Sequence, residues 1–292
     1  MTVGTILTLL GASFWGFCAV VSKYLIVDKG LDTIWMTDFR MTAAGIILLA
    51  WAYMKSGSEI FRIWHSRESV RKLLFIAFIG FGACQVTYFL SIQYCNAGIA
   101  TALQQTAPIF VLVLVVIKER RLPTITEAGV LTLVIFGSFL LATGGDLHAL
   151  SIPALALVYG LLSAITCVVY IVKPAELIKD YGTFETIGWG LTAGGIAIMP
   201  LGRLWHISGV FDLGTWLGLA YIILLGAVAA FCCFLYGCSI VGPVKGSIYG
   251  LLEPVIAVFA SLIFLGQDFS TADYCGIAAI LGGIAWLTLS KK

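Results

Sequence analysis

The sequence has few charged residues and none of the common motifs of enzyme chemistry. Only 11% of its 292 residues are Asp, Glu, Lys or Arg, whereas a soluble domain has about 25%. Its three histidines fall in predicted connections between helices. There is no paired-aspartate metal site, no G-x-S-x-G turn and no phosphate-binding loop. We therefore predict a protein that is not an enzyme, has no cofactor, and does not itself use ATP to drive a process.

The eight cysteines also give no sign of a metal site, because none belongs to a C-x-x-C pair. All fall in or at the ends of apolar segments, where cysteine behaves as a small hydrophobic residue. The net charge of +2 says little about partners, because in membranes the distribution of charge matters more than its sum, and the sequence suggests no nucleic-acid partner. The first ten residues lack the basic stretch that opens a cleavable signal peptide, so we expect the first helix to serve as an uncleaved anchor.

Long apolar segments fill the chain, and 60% of its residues are hydrophobic. A helix needs about 20 apolar residues to cross the hydrocarbon core of a bilayer. Ten segments meet this length, and they predict an all-α membrane protein with spans at 4–27, 34–54, 72–94, 98–117, 125–143, 152–172, 183–201, 214–238, 244–265 and 272–290.

The basic residues predict the orientation, because Lys and Arg accumulate in cytoplasmic connections. Of the 17 Lys and Arg residues, all but Lys23, Lys29, Arg40 and Arg203 fall on the side that also holds both termini. We therefore predict a multi-pass protein of the cytoplasmic (inner) membrane, in contact with the lipid bilayer, with both termini in the cytoplasm.

The second half of the chain repeats the first. Residues correspond at offsets of 146 to 150 in three pairs: Ser13 and Ser163, Lys23 and Lys173, Pro108 and Pro254. We place one five-helix repeat at 1–146 and a second at 147–292. Because five is odd, the two repeats enter the membrane in opposite directions. Inverted repeats are typical of transporters that hold substrate near the midplane between the halves.

A carboxylate lies near the middle of the ninth predicted span, at Glu253, and Pro254 follows it. A charge at membrane depth costs about 2.5–3.5 kcal/mol on insertion scales, and such residues usually face a bundle interior or a wet cavity. Proline removes a backbone donor and can kink the helix beside the acid. Tyr249 lies one turn earlier on the same face.

Polar and aromatic side chains recur at helical spacing in several spans, as expected where one face lines a cavity. From them we predict a substrate site formed by Trp15, Gln85, Tyr88, Gln104, Trp189, Tyr236, Tyr249 and Glu253. The alternative for the polar residues is a hydrogen bond between helices, worth about 0.6 kcal/mol on average. Arg40 has three alternatives: its side chain reaches the membrane surface, pairs with Asp38, or binds a substrate carboxylate.

Three local sequences together resemble the EamA-type transporters of the drug/metabolite transporter superfamily. They are Arg40 early in the second span, K-E-R-R-L after the fourth and L-L-E-P-V-I-A in the ninth. The resemblance covers essentially the whole chain. It implies a ten-helix, basket-like bundle with a central cavity, which moves amino acids, amines, related metabolites or drugs.

The resulting hypothesis is a secondary active transporter that works by alternating access, with export as the expected direction. Glu253 would pair with the ammonium group of an amino acid or amine, and aromatic faces would add cation–π contacts. Glu253 is also the candidate for coupling transport to protons. The expected assembly is a monomer or a homodimer. The alternatives are a sugar-phosphate or nucleotide-sugar exchanger, a membrane enzyme acting on lipid-linked substrates, and a non-transporting scaffold or subunit.

Overall fold

The computed structural model describes residues 2–94, 97–145, 153–202, 205, 207–265 and 270–290. These ranges are almost entirely helical and contain no β-strand. The α-helices in them are α1 (Val3–Lys23), α2 (Thr33–Ser56), α3 (Arg67–Phe75), α4 (Cys84–Tyr94), α5 (Ala97–Gln104), α6 (Ala107–Glu119), α7 (Ile125–Thr143), α8 (Ala154–Val172), α9 (Pro174–Tyr181), α10 (Thr183–Gly202), α11 (Leu213–Ile223), α12 (Ala230–Val241), α13 (Pro243–Gly250), α14 (Leu252–Leu265) and α15 (Thr271–Leu289).

Short segments of other helical types extend or join several of these helices. They are π-helical at Tyr24–Asp28, Ile76–Ala83 and Leu224–Ala229, and 3₁₀ at Gly57–His65. Within the described ranges, eight helical runs are long and apolar enough to cross a membrane: Val3–Asp28, Thr33–His65, Arg67–Ser91, Ala100–Glu119, Ala154–Tyr181, Leu213–Val241, Pro243–Ala260 and Thr271–Leu289. The predicted all-α membrane fold is confirmed.

Two further helices lie at predicted spans without belonging to these eight runs. The apolar stretch Ile125–Leu141 is shorter, and α10 overlaps the predicted span 183–201. The count of ten spans and the inverted repeat stay predictions. The predicted boundary between residues 146 and 147 lies outside the described residues.

Helices α7 and α15 begin with the same device, a reciprocal pair of hydrogen bonds that satisfies two otherwise free backbone donors. In α7, the Thr124 hydroxyl accepts from the Glu127 backbone N–H at 3.1 Å, and the Glu127 carboxylate accepts from the Thr124 N–H at 2.8 Å. In α15, Ser270 and Asp273 make the same two bonds at 3.2 and 2.8 Å. Helices α7 and α15 pack against each other.

Glycines allow α2 and α10 to pack with their backbones close together. A Cβ atom built on Gly45 would lie 2.6 Å from the backbone nitrogen of Thr192, and one built on Gly195 would lie 3.1 Å from the backbone nitrogen of Thr42. The two glycines are 150 residues apart in the sequence, as are the two threonines. The contact is therefore nearly symmetric about the crossing of the two helices.

Two helical segments are interrupted in their middle. A turn at 105–106 separates α5 from α6, and Leu251 separates α13 from α14. A proline follows each interruption, Pro108 in the first case and Pro254 in the second. Helix α13 packs against α6, α1 contacts the second interrupted segment, and α8 contacts both. The two interruptions thus lie near each other inside the bundle.

Candidate functional site

A cavity lies where the two interrupted segments meet α1, α8 and α12. It contains about 380 Å³ of space between atoms, including the space at its opening. Ligand sites are mostly apolar with a few well-placed polar groups, and the lining of this cavity has that composition. The lining residues are Trp15, Gln104, Gln105, Ala107, Pro108, Cys167, Tyr170, Ile171, Phe234, Ser247, Gly250 and Glu253.

Glu253 supplies the carboxylate of this cavity. It lies in the first turn of α14, directly after the interruption at Leu251. The side-chain amide of Gln105, from the other interruption, lies close to this carboxylate, and both residues line the cavity. Backbone at membrane depth tolerates such interruptions where it is buried in protein or lines a cavity. The two interruptions therefore place an amide and an acid side by side.

Gln104 ties the first interruption to two neighbouring helices. Its Nε2 atom donates to Ser163 Oγ on α8 at 2.7 Å and lies 3.5 Å from Cys84 Sγ on α4. Ser163 Oγ in turn donates to the backbone carbonyl of Cys84 at 3.3 Å. This network fixes the position of Gln104 at the cavity wall.

Aromatic rings form the opposite part of the wall. The Trp15 ring lies 4.7 Å from the Phe234 ring and 5.1 Å from the Phe231 ring, measured between centroids. Tyr170 stacks on Phe81 at 5.7 Å. Aromatic faces attract cations, so this wall and the Glu253 carboxylate both favour a positively charged group in the cavity.

Three of the predicted site residues line the cavity together: Trp15, Gln104 and Glu253. Two others lie on α4 outside the lining. The Tyr88 hydroxyl makes a 2.8 Å hydrogen bond with the Thr101 hydroxyl on α5, and Gln85 is half-buried.

The remaining three predicted residues lie elsewhere in the bundle. The Trp189 indole N–H donates to the backbone carbonyl of Ile60 at 2.9 Å, so its ring packs on the 3₁₀ segment after α2. Tyr249 is buried, and its hydroxyl accepts from Thr288 on α15 at 3.4 Å. Tyr236 is 44% exposed. None of the three contributes to the cavity wall described here.

The predicted set leaves out Gln105, Tyr170 and Phe234, which do line the cavity. Tyr170 follows Ser163 by seven residues, which puts both on one helical face. Gln105 is next to Gln104 at a helix interruption, where adjacent side chains need not point to opposite faces. Phe234 has no polar signal, and the sequence pattern does not separate it from an ordinary core residue.

The arrangement suits reversible binding of a cationic or zwitterionic small molecule. A carboxylate, neighbouring amides and aromatic faces bind such a group without forming a covalent bond. In the part of the chain that the structure describes, no group of three His, Cys, Asp or Glu side chains is placed to hold a metal ion.

Comparison with known proteins places this cavity in a transporter context. The model of the EamA-like transporter family matches residues 2–143 and, a second time, residues 154–289. The protein described as "Uncharacterized inner membrane transporter YicL" from Salmonella typhimurium is 30% identical, over 99% of this chain and 96% of its own length. "Uncharacterized inner membrane transporter YedA" from Escherichia coli is 26% identical, over 98% of this chain and 92% of its own.

A more distant relative has a named substrate. "Threonine/homoserine exporter RhtA" from Escherichia coli is 25% identical, over 88% of this chain and 82% of its own. A solved crystal structure superposes with a TM-score of 0.80 at 16% identity, covering 98% of this chain and 96% of the other. At that identity the superposition shows a shared fold.

Proposed function

This chain belongs to the EamA-like transporter family, whose members are transporters and not enzymes, and we propose that it exports a small amino acid or amine across the cytoplasmic membrane. The observation that supports this most is the Glu253 carboxylate on an aromatic-walled cavity. The described lining residues include no Lys or Arg, which disfavours a sugar phosphate or nucleotide sugar. The name of RhtA, a threonine/homoserine exporter, supports both the substrate class and the direction.

We propose that transport proceeds by alternating access between two inverted repeats. One family model matches both 2–143 and 154–289. The main helix contacts are the same when each helix is replaced by its counterpart in the other segment. Two of these contacts join counterparts, α2 with α10 and α7 with α15. The contact of α1 with α12 in turn has its counterpart in the contact of α8 with α4. Repeats related in this way hold substrate between them and rock about it.

Orientation and coupling belong to the same proposal. The distribution of Lys and Arg supports cytoplasmic termini. Glu253 is proposed to bind and release the coupling proton, as carboxylates at membrane depth do in other transporters. A proton and a substrate ammonium group would then compete for one carboxylate, which links the two movements.

The test is uptake in proteoliposomes of purified protein, with threonine, homoserine and small amines, with and without a proton gradient. Saturable uptake that depends on the gradient is expected for the native chain, and Glu253→Gln is expected to reduce it at least 100-fold. Glu68→Gln is the matched control, because the Glu68 side chain is 76% exposed and does not line the cavity.

The other outcomes each contradict a defined part of the proposal. Saturable exchange without dependence on the gradient would keep the transporter and remove the proton. If Glu253→Gln left uptake and its pH dependence intact, Glu253 would have no role in coupling. No uptake of any amino acid or amine would contradict the substrate class and favour the anionic substrates or a scaffold.

A further inference from the structure

Arg40, in the second turn of α2, is held in an unusual way for a charged residue inside a bundle. It is half-buried, and its Nε atom is buried without a hydrogen-bond partner among the described residues. Its Nη1 atom lies 3.6 Å from the sulfur of Cys18 on α1, a long contact to a weak acceptor. A buried donor without a partner is costly, the more so for a charged group.

Within the described ranges, the acidic residues Asp38 and Glu253 make no ion pair with this guanidinium. Asp38 is fully buried and accepts from the Thr42 hydroxyl at 3.3 Å. Arg40 is linked to the cavity through α1: it contacts Cys18, which lies one turn after Trp15, and Trp15 lines the cavity together with Glu253. Arg40 and Glu253 are thus opposite charges near the same segment of α1, without direct contact.

We propose that Arg40 binds the carboxylate of a zwitterionic substrate whose ammonium group binds Glu253. The inference rests on the proposed function and narrows it, because an amine without a carboxylate satisfies only one of the two charges. Arginine presents N–H groups in a planar fork that matches a carboxylate with two hydrogen bonds. Arg40 lies outside the cavity lining and contacts Cys18 on α1, so α1 must shift for the cavity to reach Arg40 when the substrate binds.

The test compares two ligands that differ by a carboxylate, threonine and 1-amino-2-propanol, on purified protein in detergent. Binding is followed by tryptophan fluorescence and by the shift in melting temperature. The native chain is expected to bind threonine at least tenfold more tightly than the amine. Arg40→Gln is expected to remove this preference and to leave the affinity for the amine unchanged.

Two further variants separate recognition from a structural role. Arg40→Lys keeps the charge but not the fork, and is expected to retain part of the preference for threonine. Arg71→Gln is the matched control, because Arg71 is exposed on α3 and is expected to behave as the native chain does. If Arg40→Gln does not fold, the native comparison and Arg40→Lys still decide the question.

The inference is overturned if the native chain binds both ligands equally, or if Arg40→Gln weakens both by the same factor. Either result leaves the transport of amino acids or amines intact. If the native chain binds neither ligand nor any other amino acid or amine, the proposed function fails together with the inference, which is a different result.

Discussion

The two segments that match the family model share a scaffold but differ at the centre of the molecule. Both have an interrupted helix followed by a proline, and both begin their last helix with the same capping pair. At the interruptions, residues 146 positions apart correspond: Gln104 and Gly250, Gln105 and Leu251, Ala107 and Glu253, Pro108 and Pro254. The first segment therefore contributes amides to the cavity, and the second contributes the acid.

This difference shows how a repeated scaffold acquires a directional site. A cavity built from two identical halves would present the same groups from both sides. Here Glu253 from one half and Gln105 from the other line the same cavity, so a substrate with a charged end has one preferred orientation. Positions with the same residue in both segments maintain the packing, whereas positions with different residues, such as Ala107 and Glu253, determine what the cavity binds.

Among the changes that make one segment resemble the other, the largest effect is expected from Gln105→Leu, which makes the first interruption resemble the second. The substitution removes the amide beside Glu253 and copies the residue found at Leu251. Hydrogen bonds to charged groups contribute about 1.5–3 kcal/mol, so the half-saturating substrate concentration in proteoliposome uptake should rise about tenfold or more. Gln105→Asn keeps an amide and should lose less. An unchanged concentration for Gln105→Leu would show that the amide does not support Glu253.

Gly45 and Gly195 occupy corresponding positions at the crossing of α2 and α10. Substituting each by Ala tests whether the two positions contribute equally to stability. At Gly45, an added Cβ would meet the Thr192 backbone nitrogen at 2.6 Å and the Gly188 carbonyl at 2.9 Å, which cannot rotate away. Overpacking of this kind costs about 1–3 kcal/mol, so Gly45→Ala should lower the melting temperature markedly.

The corresponding position should be less sensitive. At Gly195 the nearest backbone atom is the nitrogen of Thr42 at 3.1 Å, and the Thr42 hydroxyl can rotate, so Gly195→Ala should have a smaller effect. Gly282→Ala is the control, since a Cβ there meets nothing within 4 Å. Equal melting temperatures for all three variants in detergent would show that the crossing is not tightly packed.

The sequence predicts the helices well but only part of the site. Apolar length predicts where helices run, and it placed the ninth span and Glu253 correctly within the bundle. Depth along a helix, however, does not determine which way a side chain points. Tyr236 lies more than one turn inside α12 and Tyr249 lies next to the last residue of α13, yet Tyr236 is exposed and Tyr249 bonds to Thr288 on α15. Trp189 is diverted by a backbone carbonyl in a connection, which no helical pattern reveals.

Of the three predicted residues that line the cavity, Gln104 and Glu253 lie beside the interruptions and Trp15 lies on the regular helix α1, while Gln105, at the first interruption itself, was not predicted. Gln104 and Glu253 are adjacent to the points where the backbone is broken, and there a polar side chain has few alternatives to the cavity. Tyr88, on regular α4, satisfies its hydroxyl with Thr101 instead. In the sequence, a polar residue shortly before a proline inside an apolar span, as at Gln104 and Glu253, is thus a useful indicator of the cavity.

The capping pairs of α7 and α15 differ in whether the acidic residue also makes an ion pair, and this predicts a smaller difference in stability. Glu127 is bound by both terminal nitrogens of Arg121, each at 2.7 Å, while Asp273 has no ion pair in the described residues. Glu127→Gln should therefore destabilise the protein by about 0.5–1 kcal/mol more than Asp273→Asn. Melting temperatures at low and high salt test this, because the extra loss should shrink as salt screens the pair. Equal losses at low salt would contradict it.

The smallest change in stability is expected at the ion pair between Lys29 of the first segment and Asp212 of the second. Lys29 pairs with Asp212 at 2.5 Å. Together with the backbone N–H and the hydroxyl of Thr215, which both donate to the Asp212 carboxylate, this contact lowers the pKa of Asp212 from 3.8 to about 2. A lowered carboxyl pKa gives stability that is fully present above about pH 4 and is lost as the pH falls towards 2. Asp212→Asn should therefore melt below the native chain at pH 6, and the gap should close as the pH approaches 2.

The other ion pair between the segments supplies the contrast for this measurement. Lys72 contacts Glu176 at 3.1 Å and also Glu68 at 2.8 Å, so removing one carboxylate leaves it a second partner. Glu176→Gln should then change the melting temperature less than Asp212→Asn at pH 6. Two results would contradict a stabilising Lys29–Asp212 contact between the segments. One is a larger fall in melting temperature for Glu176→Gln than for Asp212→Asn at pH 6. The other is a difference in melting temperature between Asp212→Asn and the native chain that stays constant down to pH 2. Since both pairs are partly exposed, each single effect is expected to be small, and it is the difference in their pH dependence that distinguishes a contact with one partner from a contact with two.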